Sequence, residues 1–310
     1  MQYLNSHPWK TYRNILQEEF NLKLHTEPME SRRIVNGHDI HIDEWAARDP
    51  DGTVRNAPHG TVVLVHGGGG NGRVLAPFAD AITQLSWRVV APDLPGFGLT
   101  KPRADWRGNY AEWPKLVAEI ADGEAGRVIL MGLSMGGLTA VYAATLMSRP
   151  AGIIVTTLLD LAEPWTFVGT ARNRFLGLAS LVSARITPFV MDRLSLPLAL
   201  AAPLDAMSAN ARMTHYFQND RLLGRRWVPL RFWRTAHRFG PPPTALPCDL
   251  LLVHPGADAW TPPAKSIPVF ERITTPKHYV LLDGGSHLPI EPAAFAQLSA
   301  EVATFLAERS

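Results

Sequence analysis

A serine hydroxyl is barely ionised at neutral pH, so a chain that uses one as a nucleophile must set a base beside it and an acid behind the base. The stretch from Arg127 to Val141 offers such a serine. An apolar run, Val128 to Met131, reads as a short buried strand and enters Gly132-Leu133-Ser134-Met135-Gly136-Gly137. Apolar Leu138, Val141, Tyr142 and Leu146 follow near helical spacing, so the segment leaves as a helix. A serine on so tight a strand-to-helix turn needs neighbours without bulk two positions to either side. Gly132 and Gly136 meet that need, and Gly137 lets the helix pack close to the sheet. The Met135 amide then stands at the helix N-terminus, where it can hold an oxyanion. The expected chemistry is attack by Ser134 on a carbonyl carbon.

Two late apolar runs end in the groups this serine requires. Leu250–Val253 leads into His254-Pro-Gly256-Ala-Asp258-Ala-Trp-Thr-Pro262, and His278–Leu282 leads into Asp283-Gly284-Gly285-Ser286-His287. His287, in a short Gly-rich loop before the last helix, is the expected base. His254 and His278 fall in or at the edge of strands and are expected to be half-buried and structural; His237 is a further competitor. Two carboxylates could orient the imidazole. Asp258, set in Gly-x-Asp-x-x-x-Pro, is favoured; Asp160, after the strand that follows the serine, is the alternative acid, its other reading being a helix cap or hinge residue. The glycine run after the first apolar strand, His66-Gly67-Gly68-Gly69-Gly70-Asn71-Gly72, offers unhindered amides. Gly68 N–H is expected as the second oxyanion donor beside Met135, with Gly67 or Gly69 as alternatives. The same glycines could cradle a phosphate, but they lack a Gly-Lys-Ser/Thr ending, and no suitable acidic residue closes a following strand. No cofactor and no metal are therefore expected.

These residues must be positioned by a large α/β framework. The chain has 310 residues, 46% hydrophobic and 19% charged, enough for a sizeable core. A net charge of +2 argues against a nucleic-acid binder. Cys248 is the single cysteine, which rules out an intrachain disulfide and a thiolate metal cluster. No secretory signal pattern and no long apolar span is present, so a cytoplasmic setting is the simplest.

Residues 1–30 read as a helical extension. Arg32–Val35 and His38–Trp45, joined by Asn36-Gly37, read as a hairpin. His38 and His41 on it are expected at the surface. Strands at 61–65, 88–91, 128–131 and 152–159 alternate with helices at 74–85, 114–121 and after Ser134. The alternation predicts a mostly parallel doubly wound sheet of about eight strands. It stops at 161–240, a proline-broken stretch of helical character without a clear strand, and resumes with strand 250–253, helix 263–273, strand 278–282 and helix 292–306. Residues 1–160 and 241–310 are thus expected as the core, with 161–240 inserted as a helical cap.

With Asp93-x-x-Gly96-x-Gly98 added to the elbow, the glycine run, Asp258 and His287, the chain resembles an α/β-hydrolase-fold serine hydrolase over roughly 40–160 and 245–308. Within that superfamily it is most similar to the monoacylglycerol lipase and lysophospholipase-like group, through the Ser-Met-Gly-Gly elbow and Asn219-Asp220-Arg-Leu-Leu. It departs from the group at Leu133, where His is common, at Ser286, where Gly is frequent, and at Thr100, where Ser is usual. The resemblance implies a serine esterase acting on a lipophilic ester such as an acylglycerol or lysophospholipid through an acyl-enzyme. Carbon–carbon bond or amide cleavage on the same triad, or a ligand sensor with negligible turnover, are the other readings.

Residues 186–204 are strongly apolar, which suits cap packing, an acyl tunnel or a face that meets lipid transiently. Seven arginines (212, 221, 225, 226, 231, 234, 238) against the single Asp220 suit a solvated face or an anionic headgroup. Monomer and homodimer are both compatible with the sequence.

Overall fold

The computed structural model describes every residue except Met1, Asn5, Pro50 and Thr187. The strands are β1 (Met29–Val35), β2 (His38–Trp45), β3 (Gly60–Val65), β4 (Arg88–Pro92), β5 (Arg127–Gly132), β6 (Pro150–Val155), β7 (Ser195–Pro197), β8 (Trp227–Pro229), β9 (Leu250–Pro255) and β10 (Lys277–Leu282). The α-helices are α1 (His7–Phe20), α2 (Ala76–Thr83), α3 (Glu112–Asp122), α4 (Met135–Ala144), α5 (Pro164–Thr170), α6 (Arg174–Ile186), α7 (Pro188–Met191), α8 (Leu198–Ala201), α9 (Ala211–Asn219), α10 (Leu230–His237), α11 (Pro263–Arg272) and α12 (Pro292–Ala307).

Eight strands form one sheet in the order β1-β2-β4-β3-β5-β6-β9-β10. The β1–β2 and β2–β4 pairs are antiparallel and the rest are parallel. The central strands are buried on both faces and divide their side chains by parity. Val63, Val65, Leu130 and Val155 join α3, α4 and α11 in one apolar cluster. Val62, Leu64, Met131 and Ile154 join α1, α2 and α12 in another. Register then fixes where the loops emerge. Val65 pairs with Gly132, and Gly132 with Val155, so the glycine run and the Ser134 turn leave the sheet side by side at its carboxyl edge.

The structure departs from the sequence expectations at several places. The strand expected over 152–159 ends at Val155, and 156–160 are irregular. The first turn of the helix expected from Val74 is a 3₁₀ turn, Gly72–Leu75, started by Asn71, whose Oδ1 accepts the Val74 N–H at 3.0 Å. The stretch 161–240 carries a short antiparallel pair, β7 with β8, among its helices.

The hairpin histidines are not at the surface: His38 and His41 are 0% and 2% exposed. The hairpin pattern could not show what covers them: a distant helix over His38, and for His41 the start of the partner strand β1 and the loop after β4. His38 Nε2 meets Glu112 of α3 at 3.0 Å, and His41 Nε2 meets Glu30 at 3.0 Å. His254 is fully buried rather than half-buried, and His278 is exposed.

Candidate active site

Ser134 sits between β5 and α4 with φ 57° and ψ −131°. A non-glycine residue holds such a backbone only when its surroundings force it. Here they do. A Cβ on Gly132 would run into the Gly136 carbonyl, one on Gly136 into Val65 O, and one on Gly137 into Thr157 O. The Leu133 N–H donates to Val65 O at 3.0 Å, and the Ser134 N–H to Thr156 Oγ1 at 3.3 Å. The turn is clamped by strands on both sides.

The structure brings Ser134, His287 and Asp258 into one line. His287 Nε2 lies 2.7 Å from Ser134 Oγ, and His287 Nδ1 lies 2.8 Å from Asp258 Oδ2. Asp258 follows β9 and His287 follows β10, neighbouring strands of the parallel sheet. Asp258 Oδ1 accepts the N–H groups of Trp260 at 2.9 Å and Thr261 at 2.8 Å, and Oδ2 accepts the Thr261 hydroxyl at 2.8 Å. Burial opposes ionisation of Asp258. The adjoining His287 and these hydrogen bonds outweigh it and hold the carboxyl well below the usual carboxylate range. Asp160 lies elsewhere: its Oδ2 accepts from Arg272 at 2.9 Å and its Oδ1 from the Ala162 N–H at 3.1 Å.

The glycine run is held by His66, which is fully buried. Its Nε2 accepts the Leu94 N–H at 2.9 Å, so the proton is on Nδ1, which donates to the Gly67 carbonyl at 2.8 Å. Gly70 N–H donates to the same carbonyl at 3.1 Å. The peptide is trans and planar, so with its C=O fixed the Gly68 N–H must point the opposite way. Gly68, Ser134 and Met135 line one cavity. Among the described residues neither the Gly68 nor the Met135 amide has a hydrogen-bond partner. A Cβ on Gly67 would sit 2.8 Å from the Ser134 Cβ, which explains glycine there.

Behind the glycine run lies a buried ionic cluster. Arg73 bonds Asp43 through Nη2 at 2.6 Å and Nε at 3.0 Å, and Glu30 at 3.0 Å. Asp93 accepts the Gly72 N–H at 2.7 Å and lies 3.1 Å from His41 Nδ1. Glu30, His41 and Asp43 converge closely enough to suggest a cation site, but the Arg73 guanidinium already supplies the positive charge between the carboxylates.

Several residues of the site escaped the sequence reading. Thr261 holds both Asp258 and, at 3.2 Å, His287 Nδ1. Its signal was the Asp-x-x-Thr spacing, in which a carboxylate accepts the backbone N–H three residues on. Trp260 packs against His287 with ring centres 4.7 Å apart and planes tilted by 40°. Ser286 Oγ accepts the Ala209 N–H at 2.8 Å, and Leu288 N–H donates to Met207 O at 3.0 Å, tying the His287 loop to the segment between β6 and β9. Of the seven arginines singled out, most serve the fold. Arg212 pairs with Glu18 and Glu19, Arg226 donates to Gly96 and Gly98 carbonyls, Arg231 and Arg234 meet Asp192, and Arg238 donates to Ala184 O.

Residues 62–300 match the alpha/beta hydrolase family, and the chain belongs to that family. It is 34% identical over 107 residues to a pimeloyl-[acyl-carrier protein] methyl ester esterase of Shewanella oneidensis, a match covering 34% of this chain and 34% of that protein. It is 33% identical over 134 residues to a probable protein phosphatase methylesterase 1 of Caenorhabditis elegans, covering 41% of this chain and 35% of that protein. The chain therefore spans about a third of the length of these relatives (34% and 35%). Its fold is similar to that of a soluble variant of the Saccharomyces cerevisiae monoglyceride lipase, with a TM-score of 0.72, 14% identity and coverage of 94% of this chain and 99% of that one. The Paleococcus ferrophilus monoacylglycerol lipase gives a TM-score of 0.65 at 22% identity, covering 88% of this chain and 100% of that one.

Proposed function

We propose that the protein is a serine hydrolase that cleaves a carboxylic ester through an acyl-enzyme. The observation that carries this reading is the unbroken line from Ser134 Oγ through His287 to Asp258, at 2.7 and 2.8 Å. Ser134 Oγ attacks the ester carbonyl carbon as His287 Nε2 takes its proton. The carbonyl electron pair moves onto oxygen, which the Gly68 and Met135 amides receive. Collapse breaks the bond to the alcohol oxygen, and His287 returns the proton to it. Water then repeats the sequence on the acyl-serine and releases the acid. Asp258 holds the imidazole in the tautomer that presents a free Nε2 and stabilises the imidazolium. The names of the relatives, two methylesterases and two lipases of acylglycerols, favour an ester over an amide or carbon–carbon bond.

Residues 161–240 act as a cap over this site, with 1–160 and 241–310 as the core. Phe175, Ile186 and Phe189 are 80%, 73% and 78% exposed, and this face meets a lipid surface transiently. Among the described residues no helix is long and apolar enough to cross a membrane.

The test is fluorophosphonate labelling together with hydrolysis of a p-nitrophenyl ester. Wild type is expected to label once, at Ser134, and Ser134→Ala to lose both labelling and turnover. Full labelling of Ser134→Ala would sink the reading.

A further inference from the structure

Two cavities meet at Ser134, and they differ in which catalytic atoms they hold. One contains His287 and Ser134 and is bounded by the glycine run, His66 and apolar side chains including Leu204, Met207, Phe217 and Leu223. The other contains Ser134 and Met135 and, with Gly68 lining both, extends toward Phe167, Thr170 and Trp233. Those last three residues also line a third cavity, between α5, α6 and α10, walled by Leu176, Leu200 and Leu230. The Trp233 indole thus stands between the second cavity and the third. The same indole packs over Gly68, where an added Cβ would lie 2.8 Å from its ring.

Charge is the second observation. Among the described residues no Lys, Arg, Asp or Glu lines either cavity at Ser134. His66 does, but its ring nitrogens are occupied by Leu94 and Gly67. The third cavity holds Arg234, which is bound by Asp192 through two hydrogen bonds, at 2.7 and 2.5 Å. A charged headgroup would lose its hydration in these chambers and find no counter-charge.

Chemistry assigns the sides. The group that protonates the leaving oxygen must be within reach of it, so the alcohol half lies in the chamber that contains His287. Gly68 lines both chambers and Met135 only the second, so the acyl remainder falls on the Met135 side. Given Ser134 as the nucleophile of the reading above, we propose that the substrate is an uncharged ester, apolar on both sides of its carbonyl. Its alcohol occupies the Leu204–Met207–Phe217–Leu223 chamber, and its acyl chain passes Trp233 into the cavity between α5, α6 and α10. Trp233 is then the residue that sets acyl length. Acylglycerols and lysophospholipids, whose alcohol halves are polar or charged, fit the first chamber poorly.

The experiment measures kcat/KM by acid release for two series: octanoate esters of methanol, butanol, glycerol and glycerophosphocholine, and butyl esters of acids from acetate to palmitate. Each buried methylene is worth about fourfold, so butyl octanoate is expected to exceed the methyl and glycerol esters by about tenfold or more, and the phosphocholine ester by more. Trp233→Ala is expected to move the acyl optimum several carbons toward longer chains while keeping the wild-type order of alcohols. Met207→Trp, which fills the first chamber, is expected to cut the butyl preference about tenfold and keep the acyl optimum. Glycerol or phosphocholine esters matching the butyl ester would overturn the proposal, and so would a Trp233→Ala variant that shifts alcohol rather than acyl preference. The wild-type series stands whether or not either variant folds. A wild-type protein that fluorophosphonate does not label at Ser134 overturns the hydrolase reading and this inference together; a labelled protein with the wrong ester profile overturns this inference alone.

Discussion

Three of the buried histidines, His41, His254 and His287, have both ring nitrogens near a polar partner, and the partners differ. His41 lies between two carboxylates, Glu30 at 3.0 Å and Asp93 at 3.1 Å. Burial alone would lower its pKa, but Asp93, Asp43 and Glu30 raise it, which favours the charged form within an ionic clamp. His254 lies between the Pro255 carbonyl and the Ser266 hydroxyl, each at 3.0 Å, with no carboxylate on the ring. Burial keeps it neutral by pushing its pKa down. Of the three, His287 alone has a carboxylate at Nδ1 and a hydroxyl, that of Ser134, at Nε2, and its cavity opens at Ser134. The same ring is a clamp, a spacer or a proposed base according to what lies on each side. A base needs an acid to orient it and a proton to take.

The largest expected effect tests that third arrangement. Asp258→Asn keeps the shape but favours the wrong tautomer of His287, and by analogy with serine proteases kcat should fall on the order of 10⁴-fold. Asp160→Asn should change kcat by less than about threefold, because its carboxylate serves Arg272 and Ala162 rather than His287. Steady-state hydrolysis of one ester by both variants decides it. If Asp160→Asn is the dead variant, the comparison breaks.

Much of this was legible in the sequence because it is local or ordered along the chain. The elbow glycines, the strand–helix alternation and the loops after Val253 and Leu282 are all readable from neighbours. What was not legible depends on who arrives from afar. His38 and His41 sit on a hairpin whose pattern suggested exposure. They are buried because Glu112 and Asp93 arrive from α3 and the loop after β4, and because the partner strand β1 begins early enough to bring Glu30 to His41. The arginines of 211–240 looked free because their partners are acids of α1, Asp192 and backbone carbonyls, none of which spacing reveals. Trp233 carried no motif, and its place at a cavity wall follows from how α10 packs over Gly68.

The clamp should act on stability rather than rate. Arg73→Met leaves Glu30 and Asp43 buried without their cation, and breaking such a pair costs about 3–5 kcal/mol. The urea midpoint should fall accordingly, with kcat of the remaining folded protein within about threefold of wild type. The pH dependence sharpens this. A raised folded pKa means His41 contributes most below its unfolded value of about 6.5, and the contribution fades as pH rises through the folded value. Asp93 has a lowered folded pKa, so its contribution is present above about 4 and fades in acid. The stability gap between wild type and His41→Gln should therefore narrow from about pH 6.5 upward. A gap that widens over that range would remove His41 from the clamp.

The smallest effect separates the two serines that bond a histidine. Ser266 Oγ accepts the Leu158 N–H at 3.0 Å and donates to His254 Nε2, all in the core. Ser266→Ala strands two buried polar groups, at about 1–3 kcal/mol, while leaving Ser134 and its partners in place. Ser134→Ala strands no comparable backbone donor, since Oγ faces His287 and the cavity. It should remove turnover with little loss of stability. The pair is expected to dissociate in opposite directions: one variant less stable and active, the other stable and inert. Urea midpoints beside ester hydrolysis read both. If Ser134→Ala were instead the destabilised one, its bond to His287 would be part of the scaffold, and the distinction between His254 and His287 would fail.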